Sequence, residues 1–223
     1  MSSNLIPRSI NDKQRLLGRL RGRYERWVEA RFDRRYGIET GGIHDDLRAL
    51  GADGEHCALA YGYEAVQPAI FRAIMRAAAI APGGFTCVDF GSGKGRALVL
   101  AAECGFRRVI GVELAPQLHD IAQRNVAAFH SRRPFASPID LCCGDAVNLP
   151  LPEGNLMLFF FNPFGKAVLG KVAGNIMRGL RERTRQVVIA YRNPLHAEIF
   201  DELDLLVPMV RNRSFALYRS RPR

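Results

Sequence analysis

The sequence predicts an α/β fold: a doubly wound, mostly parallel seven-strand sheet with helices on both faces and an N-terminal helical extension. Three observations carry this reading. Residues 85–103 (FTCVDFGSGKGRALVLAAE) read as a strand, a glycine-rich turn and a helix. From residue 108 onward, short apolar runs alternate with segments of helical spacing, the pattern of βαβ units. Three successive strands end at or just before an acid, Asp89, Glu113 and Asp145. A doubly wound sheet gathers such strand ends at one edge, where ligands bind.

The chain of 223 residues suffices for one sizeable domain with an extension, expected as residues 1–59 and a domain over 60–223. At 48% apolar and 24% charged residues, its composition is that of a soluble globular protein. No apolar run approaches the roughly 20 residues of a membrane span, so no integral membrane segment is expected. The first ten residues lack the apolar core of a secretory signal, which predicts an intracellular, cytoplasmic protein. Cys57, Cys87, Cys104, Cys142 and Cys143 form no C-x-x-C pair. That argues against a disulfide framework or a metal site and predicts small buried apolar roles for all five. The net charge of +10 is uneven. Residues 1–36 hold ten Lys/Arg against four Asp/Glu, and residues 207–223 hold five against none, which leaves the middle near neutral. Basic ends of this kind serve nucleic acid, an anionic membrane surface or an acidic protein, or are simply solvated.

Residues 1–10 read as unstructured. From Asn11 to about Arg35, the residues Leu16, Leu17, Leu20, Tyr24, Trp27, Val28 and Phe32 recur at helical spacing between arginines. This amphipathic helix is expected to pack its apolar stripe on the domain; the sharper alternative is an arm for nucleic acid or membrane. It is not aromatic-rich enough to favour a stacking surface for single strands. Residues 37–55 read as a loop or linker, and residues 60–64 lead into a second amphipathic helix with Val66, Ile70, Phe71, Ile74 and Met75 on one side. Residues 85–90, 108–113, 139–143, 155–161 and 186–191 read as five strands, the third followed by Gly-Asp-Ala at 144–146. The helices expected between and after them lie at 96–103, 116–129, 168–180 and 196–203. A hairpin over 205–218, with residues 211–213 at its turn, completes seven strands. His119 and His130 read as surface or packing residues.

The glycine spacing separates ligand classes. A Rossmann dinucleotide fingerprint is G-x-G-x-x-G, whereas here the spacing is G-x-G-x-G with Asp89 two residues before Gly91. An acid at that place repels a pyrophosphate and suits a cation, which disfavours a nicotinamide oxidoreductase. The Asp89, Gly91, Ser92, Gly93, Gly95 pattern resembles the S-adenosylmethionine loop of class I, seven-strand methyltransferases. The resemblance covers roughly residues 60–220. It implies S-adenosyl-L-methionine as cofactor, with Asp89 on its amino-acid part. Glu113, 18 residues after Gly95, would take the ribose hydroxyls. Residues 144–146 resemble the family's adenine motif, with Asp145 accepting from the adenine amino group and the Ala146 N–H reaching the ring. Tyr63-Glu64 resembles the lead-in of a bacterial branch in which a Tyr-Glu-Pro motif caps the pocket, with Ala65 here in place of the proline; Tyr63 is a pocket residue or a core tyrosine.

Residues 162–165 (NPFG) resemble in part the [Asn/Asp]-Pro-Pro-[Tyr/Phe] motif of nitrogen methyltransferases, with the second proline missing. By that likeness Asn162 and Pro163 would accept from the methyl acceptor and Phe164 would wall the transfer channel. Read without the likeness, the segment is a strand-ending Asn-Pro turn. The whole is similar to a group of bacterial class I methyltransferases that itself resembles small protein-lysine methyltransferases. It implies methyl transfer to an unidentified acceptor, a nitrogen of a protein lysine, a nucleic acid or a small molecule. No strong general base is evident, and Glu64 or water would take the proton. The competing reading is a non-catalytic protein on the same fold whose basic ends grip nucleic acid or membrane.

Overall fold

The computed structural model describes residues 8–222, with the side chains of the first helix described from Gly18 onward except those of Arg19 and Arg21. After helix α1 (Arg8–Tyr36), a short strand β1 (Ile43–His44) pairs antiparallel with β2 (Tyr63–Glu64). The chain continues through α2 (Pro68–Ala78), β3 (Phe85–Phe90), α3 (Arg96–Glu103), β4 (Arg108–Glu113), α4 (Pro116–Arg132) and β5 (Ile139–Cys143). It ends with β6 (Asn155–Phe161), α5 (Lys166–Glu182), β7 (Val187–Arg192), α6 (Glu198–Asp201), β8 (Leu206–Arg211) and β9 (Phe215–Ser220).

Strands β3 to β9 form one seven-stranded sheet in the order β5-β4-β3-β6-β7-β9-β8. The pairs from β5 across to β7 are parallel, and β9 runs antiparallel to both β7 and β8. The order reverses beside β3, since β4 and β5 are added on one side and β6 on the other. The carboxyl ends of β3, β4 and β6 therefore surround a switch-point crevice.

The central strands are buried on both faces, so their side chains alternate between two cores. Cys87, Met157, Phe159, Val188 and Ala190 face one core with Phe71, Ile74, Leu98 and Phe129 from the helices. Val88, Phe90, Leu158, Phe160, Ile189 and Tyr191 face the other with Val168, Ile176, Met177 and Phe200. Local sequence sets the helix ends: Pro68 and Pro116 occupy first turns, where a missing N–H costs nothing, and α2 stops at left-handed Ala79.

The structure departs from the sequence reading at identifiable places. Helix α1 begins at Arg8 rather than Asn11, and residues 1–7 of the segment expected to be unstructured lie outside the described residues. Its apolar stripe is divided. Phe32 and Tyr36 are buried, but Leu20, Tyr24 and Trp27 face solvent; Leu16 and Leu17 fall outside the described side chains. Residues 37–59 are not a free linker, because Ile38, Thr40, Ala52 and Cys57 are buried. Cys142 and Cys143 are exposed on the edge strand β5, where no neighbour covers them. The helix expected over 196–203 is four residues long.

One buried cation fastens α1 to the domain. Arg96, at the start of α3, is 1% exposed and donates from Nε to Thr40 Oγ1 at 2.7 Å. Its terminal nitrogens face Glu29 and Asp33 of α1 at 3.6 Å each, and its guanidinium lies 5.4 Å from the Phe32 ring centroid. Asp33 in turn accepts from Thr40 Oγ1 and from the amides of Thr40 and Gly41. Removing the cation leaves two partly buried carboxylates facing one another. Arg96→Ala is expected to lower stability by about 3 kcal/mol in urea unfolding and to expose residues 37–45 to limited proteolysis. Wild-type protease resistance in the variant would contradict the anchoring.

Candidate active site

Strand β3 delivers Asp89 to the switch point, and the glycine loop turns immediately after it. The loop is tied to β4 by the amides of Gly91 and Ser92, both donating to the Val112 carbonyl at 2.9 Å. Two glycines are required by what surrounds them. Gly91 has φ +82°, and a Cβ there would lie 2.6 Å from Pro163 Cβ; Gly93 has φ +52°, and a Cβ there would lie 2.2 Å from the Tyr63 ring. The loop is thus held between the Asn-Pro turn after β6 and the Tyr63 ring.

The predicted site residues divide among the faces of this loop. Tyr63, Gly91, Glu113, Asp145, Ala146, Pro163 and Phe164 line one cavity. Asp89 and Ser92 line a smaller cavity of about 250 Å³ on the other side of Tyr63, which contributes to both. Gly93, Gly95 and Asn162 line neither. Gly93 contributes its N–H, which donates to Glu113 Oε2 at 2.7 Å, and Gly95 caps α3 in a left-handed conformation.

The electrostatics of the two buried acids are unusual. Asp89 is 3% exposed, and burial, with the charge of Glu113 adding to it, pushes its carboxyl up to about 8. Burial also raises Glu113, against the pull of amide donors that include Gly93 and Ala115. No cation lowers either group. Lys94 on the loop and Arg96 at the start of α3 are both engaged by the N-terminal extension, although Arg96 also lines the smaller cavity with Asp89. Lys94 Nζ donates to the Gly41 carbonyl at 2.8 Å, and Arg96 faces Thr40, Glu29 and Asp33. Ser92 Oγ is buried without a hydrogen-bond partner beside Asp89. Two buried acids and an unsatisfied hydroxyl suit a cationic ligand bearing polar groups. Glu113 Oε2 accepts from the Gly93 amide and Oε1 from the Ala115 amide, with the Leu114 amide also acting on the carboxylate.

The far end of the cavity is built by a residue that sequence reasoning missed. His56, 8% exposed, places Nδ1 2.5 Å from Asp145 Oδ2. Lys171 Nζ lies 2.7 Å from His56 Nε2. Glu55 Oε1 also lies 3.0 Å from Nε2, so the ring is held between Asp145 on one side and Glu55 with Lys171 on the other. Asp145 Oδ1 accepts from the Val147 amide, which fixes the carboxylate on both sides. A lone histidine in a polar loop, 89 residues from its partner, carries no sequence signal.

Tyr61 also escaped the sequence reading, although residues 61–63 (YGY) offered a cue. It lines the cavity, and its N–H donates to the Pro163 carbonyl at 3.0 Å. Its hydroxyl lies 3.2 Å from His196 Nε2. Asn162 has φ +43°, a region Asn tolerates, and its Oδ1 accepts from the Tyr191 hydroxyl at 3.0 Å. The two acceptors expected to face a target N–H each already hold one protein donor. Phe164 is 6% exposed and packs edge-on to Phe160 at 6.3 Å, so it offers the cavity a wall rather than a free stacking face. Glu64 is exposed on β2. Among the described residues, no group of three or more His, Cys, Asp or Glu is placed to hold a metal ion, and no helix is long and apolar enough to cross a membrane.

The Asp89 shift has a definite sign. The folded protein keeps a proton that the unfolded chain loses near pH 4, so this contribution to stability is full below that pH and disappears as pH rises towards 8. The stability of Asp89→Asn relative to wild type should therefore rise between about pH 5 and 7, by at most about 1.4 kcal/mol per pH unit. Urea unfolding at several pH values reads this, and a pH-independent difference would contradict a raised Asp89.

Comparison with known proteins bears on this site. Residues 87–183 match the family model of a methyltransferase domain. A ribosomal protein L11 methyltransferase from Thiobacillus denitrificans is 30% identical over 118 residues, 49% of this chain, and the match spans 38% of that protein's length. A candidate RNA methyltransferase from Pyrococcus horikoshii has the same fold, with a TM-score of 0.51 at 16% identity, over 79% of this chain and 94% of the other. A candidate S-adenosylmethionine-dependent methyltransferase from Methanococcus maripaludis superposes with a TM-score of 0.50 at 17% identity, over 70% of this chain and 85% of the other. The domain match over residues 87–183 and the strand order agree: the chain carries a segment similar to methyltransferase domains on a fold shared with methyltransferases.

Proposed function

We propose that residues 60–223 transfer a methyl group from S-adenosylmethionine to a nitrogen nucleophile, with residues 1–59 as an extension that closes over the cofactor loop. The observation that carries this is the buried pair Asp89 and Glu113 without a counter-charge, although the loop between them holds a lysine and an arginine. Bound there, the cofactor would supply an electrophilic methyl on a sulfonium, so the chemical step asks the protein mainly for position.

The residues divide that work. Asp89 holds an ammonium and Ser92 Oγ donates beside it. Glu113 accepts from ribose hydroxyls, while Asp145, fixed by His56, accepts from the adenine amino group next to the Ala146 N–H. Tyr63 closes the loop, held by its hydroxyl donating to the Thr40 carbonyl at 2.6 Å. At the acceptor end, Asn162, Pro163 and Phe164 form the wall, and Tyr61 braces it. Asn162 keeps a lone pair on Oδ1 for an acceptor N–H. The likeness to a ribosomal protein L11 methyltransferase over 118 residues supports a protein amine as the first acceptor to try, ahead of a nucleic acid or a small molecule.

Isothermal titration with S-adenosylmethionine and S-adenosylhomocysteine tests the reading. Wild type should bind both at micromolar concentration, and Asp89→Ala and Glu113→Ala should each weaken binding at least tenfold, about 1.4 kcal/mol. At pH 7 Asp89 is largely protonated, so an incoming ammonium displaces its proton. Titrations in buffers of different ionisation enthalpy should report release of about one proton per ligand, absent in Asp89→Asn. Wild type that binds neither compound, or binds a nicotinamide dinucleotide instead, would overturn the proposal.

A further inference from the structure

Helix α1 sorts its charges by face. Positions 25, 29 and 33 fall on one side by helical spacing, and Glu29 and Asp33 there meet Arg96. Phe32 and Tyr36 turn towards the same side and are buried. On the opposite side, Leu20, Tyr24 and Trp27 are 52%, 65% and 52% exposed, and Arg23, Arg31 and Arg34 beside them are exposed too. The Tyr24 and Trp27 rings stack with centroids 6.2 Å apart at 27°. The Arg31 guanidinium lies 5.5 Å from the Trp27 centroid. Large exposed aromatics flanked by cations, on a face clear of the described acids of the helix, need a reason.

The helix as a whole is poor in aromatics, but the structure gathers two of them on one exposed face, and we propose that this face binds single-stranded RNA, with unpaired bases stacking on Tyr24 and Trp27 and phosphates meeting Arg23, Arg31 and Arg34. Aromatic faces read bases that are free of a duplex, and guanidinium groups pair with phosphates or stack on bases. A membrane-surface helix instead buries a broad apolar face. Here the exposed Arg23, Arg31 and Arg34 are interleaved with Leu20, Tyr24 and Trp27 on the same side of α1, so among the described side chains that side offers no apolar face free of cations. An acidic peptide would use the arginines and leave both rings idle. The inference is independent of the cofactor reading, since the face lies on the helix surface turned away from Arg96 and the loop.

Trp27 is the chain's only tryptophan, so its emission reports this face alone. The full chain is titrated with an oligouridylate of about 16 nucleotides, read by Trp27 emission and by anisotropy of the labelled strand. Binding should quench Trp27. Trp27→Ala and Tyr24→Ala, both exposed positions, should each weaken binding about tenfold by anisotropy. The triple variant Arg23→Gln, Arg31→Gln, Arg34→Gln should flatten the slope of log K against log salt by about 2. S-adenosylmethionine binding should be unchanged in Trp27→Ala, which separates failure here from failure of the methyl-transfer reading. RNA binding that leaves Trp27 emission unchanged or survives Trp27→Ala overturns the proposal. So does equal affinity for a duplex of the same length, or tighter binding to phosphatidylserine vesicles or polyglutamate than to RNA.

Discussion

The position of Arg96 governs much of this structure. A guanidinium next to the cofactor loop would be expected to neutralise the acids at the strand ends. It is instead turned to the N-terminal extension, where Thr40, Glu29 and Asp33 receive it. Lys94 is turned the same way, towards the Gly41 carbonyl. One arrangement therefore does two things. It fastens the helix to the domain, and it leaves no cation to lower the carboxyls of Asp89 and Glu113. Buried like charges raise one another's affinity for protons.

The same extension also builds the walls of the site. Asn125, buried on α4, accepts from the Glu39 amide and donates to the carbonyls of Glu39 and Lys94, so one side chain stitches extension, loop and helix together. Tyr63 reaches Thr40 with its hydroxyl and covers Gly93 with its ring. At the other end His56 crosses from the extension to Asp145. The pairing of β1 with β2 joins residues 43–44 to 63–64. The glycine loop is thus enclosed by segments from well before it in sequence.

What could be read from the sequence follows from what is local. The alternation of strands and helices, and the acids at the ends of β3 and β4 and just after β5, are consequences of apolar runs, glycine spacing and short-range turns, all visible in one dimension. Phe159 and Phe160 read as one apolar run because a central strand buries both faces. The missed residues depend on distant partners. His56 becomes part of the cavity only because Asp145 and Lys171 meet it across the fold. Tyr191 was legible as a strand residue, but its grip on Asn162 was not. Burial of Cys142 and Cys143 was expected from their chemistry and fails because β5 is an edge, a property of strand order rather than of composition.

Helix α1 shows the same logic from the opposite side. Its period of apolar residues is continuous in sequence, yet among the described side chains Phe32 and Tyr36 are buried while Leu20, Tyr24 and Trp27 are exposed. The reason is angular. Leu20, Tyr24 and Trp27 occupy a different side of the helix from Phe32 and Tyr36, and the domain meets only the latter. Glu29 and Asp33 sit with the buried pair because Arg96 is there to receive them. Once the acids are drawn inward, the outward face is left with aromatics and arginines. Its basic, ring-bearing character therefore follows from the anchoring of α1 as much as from the overall charge of the chain.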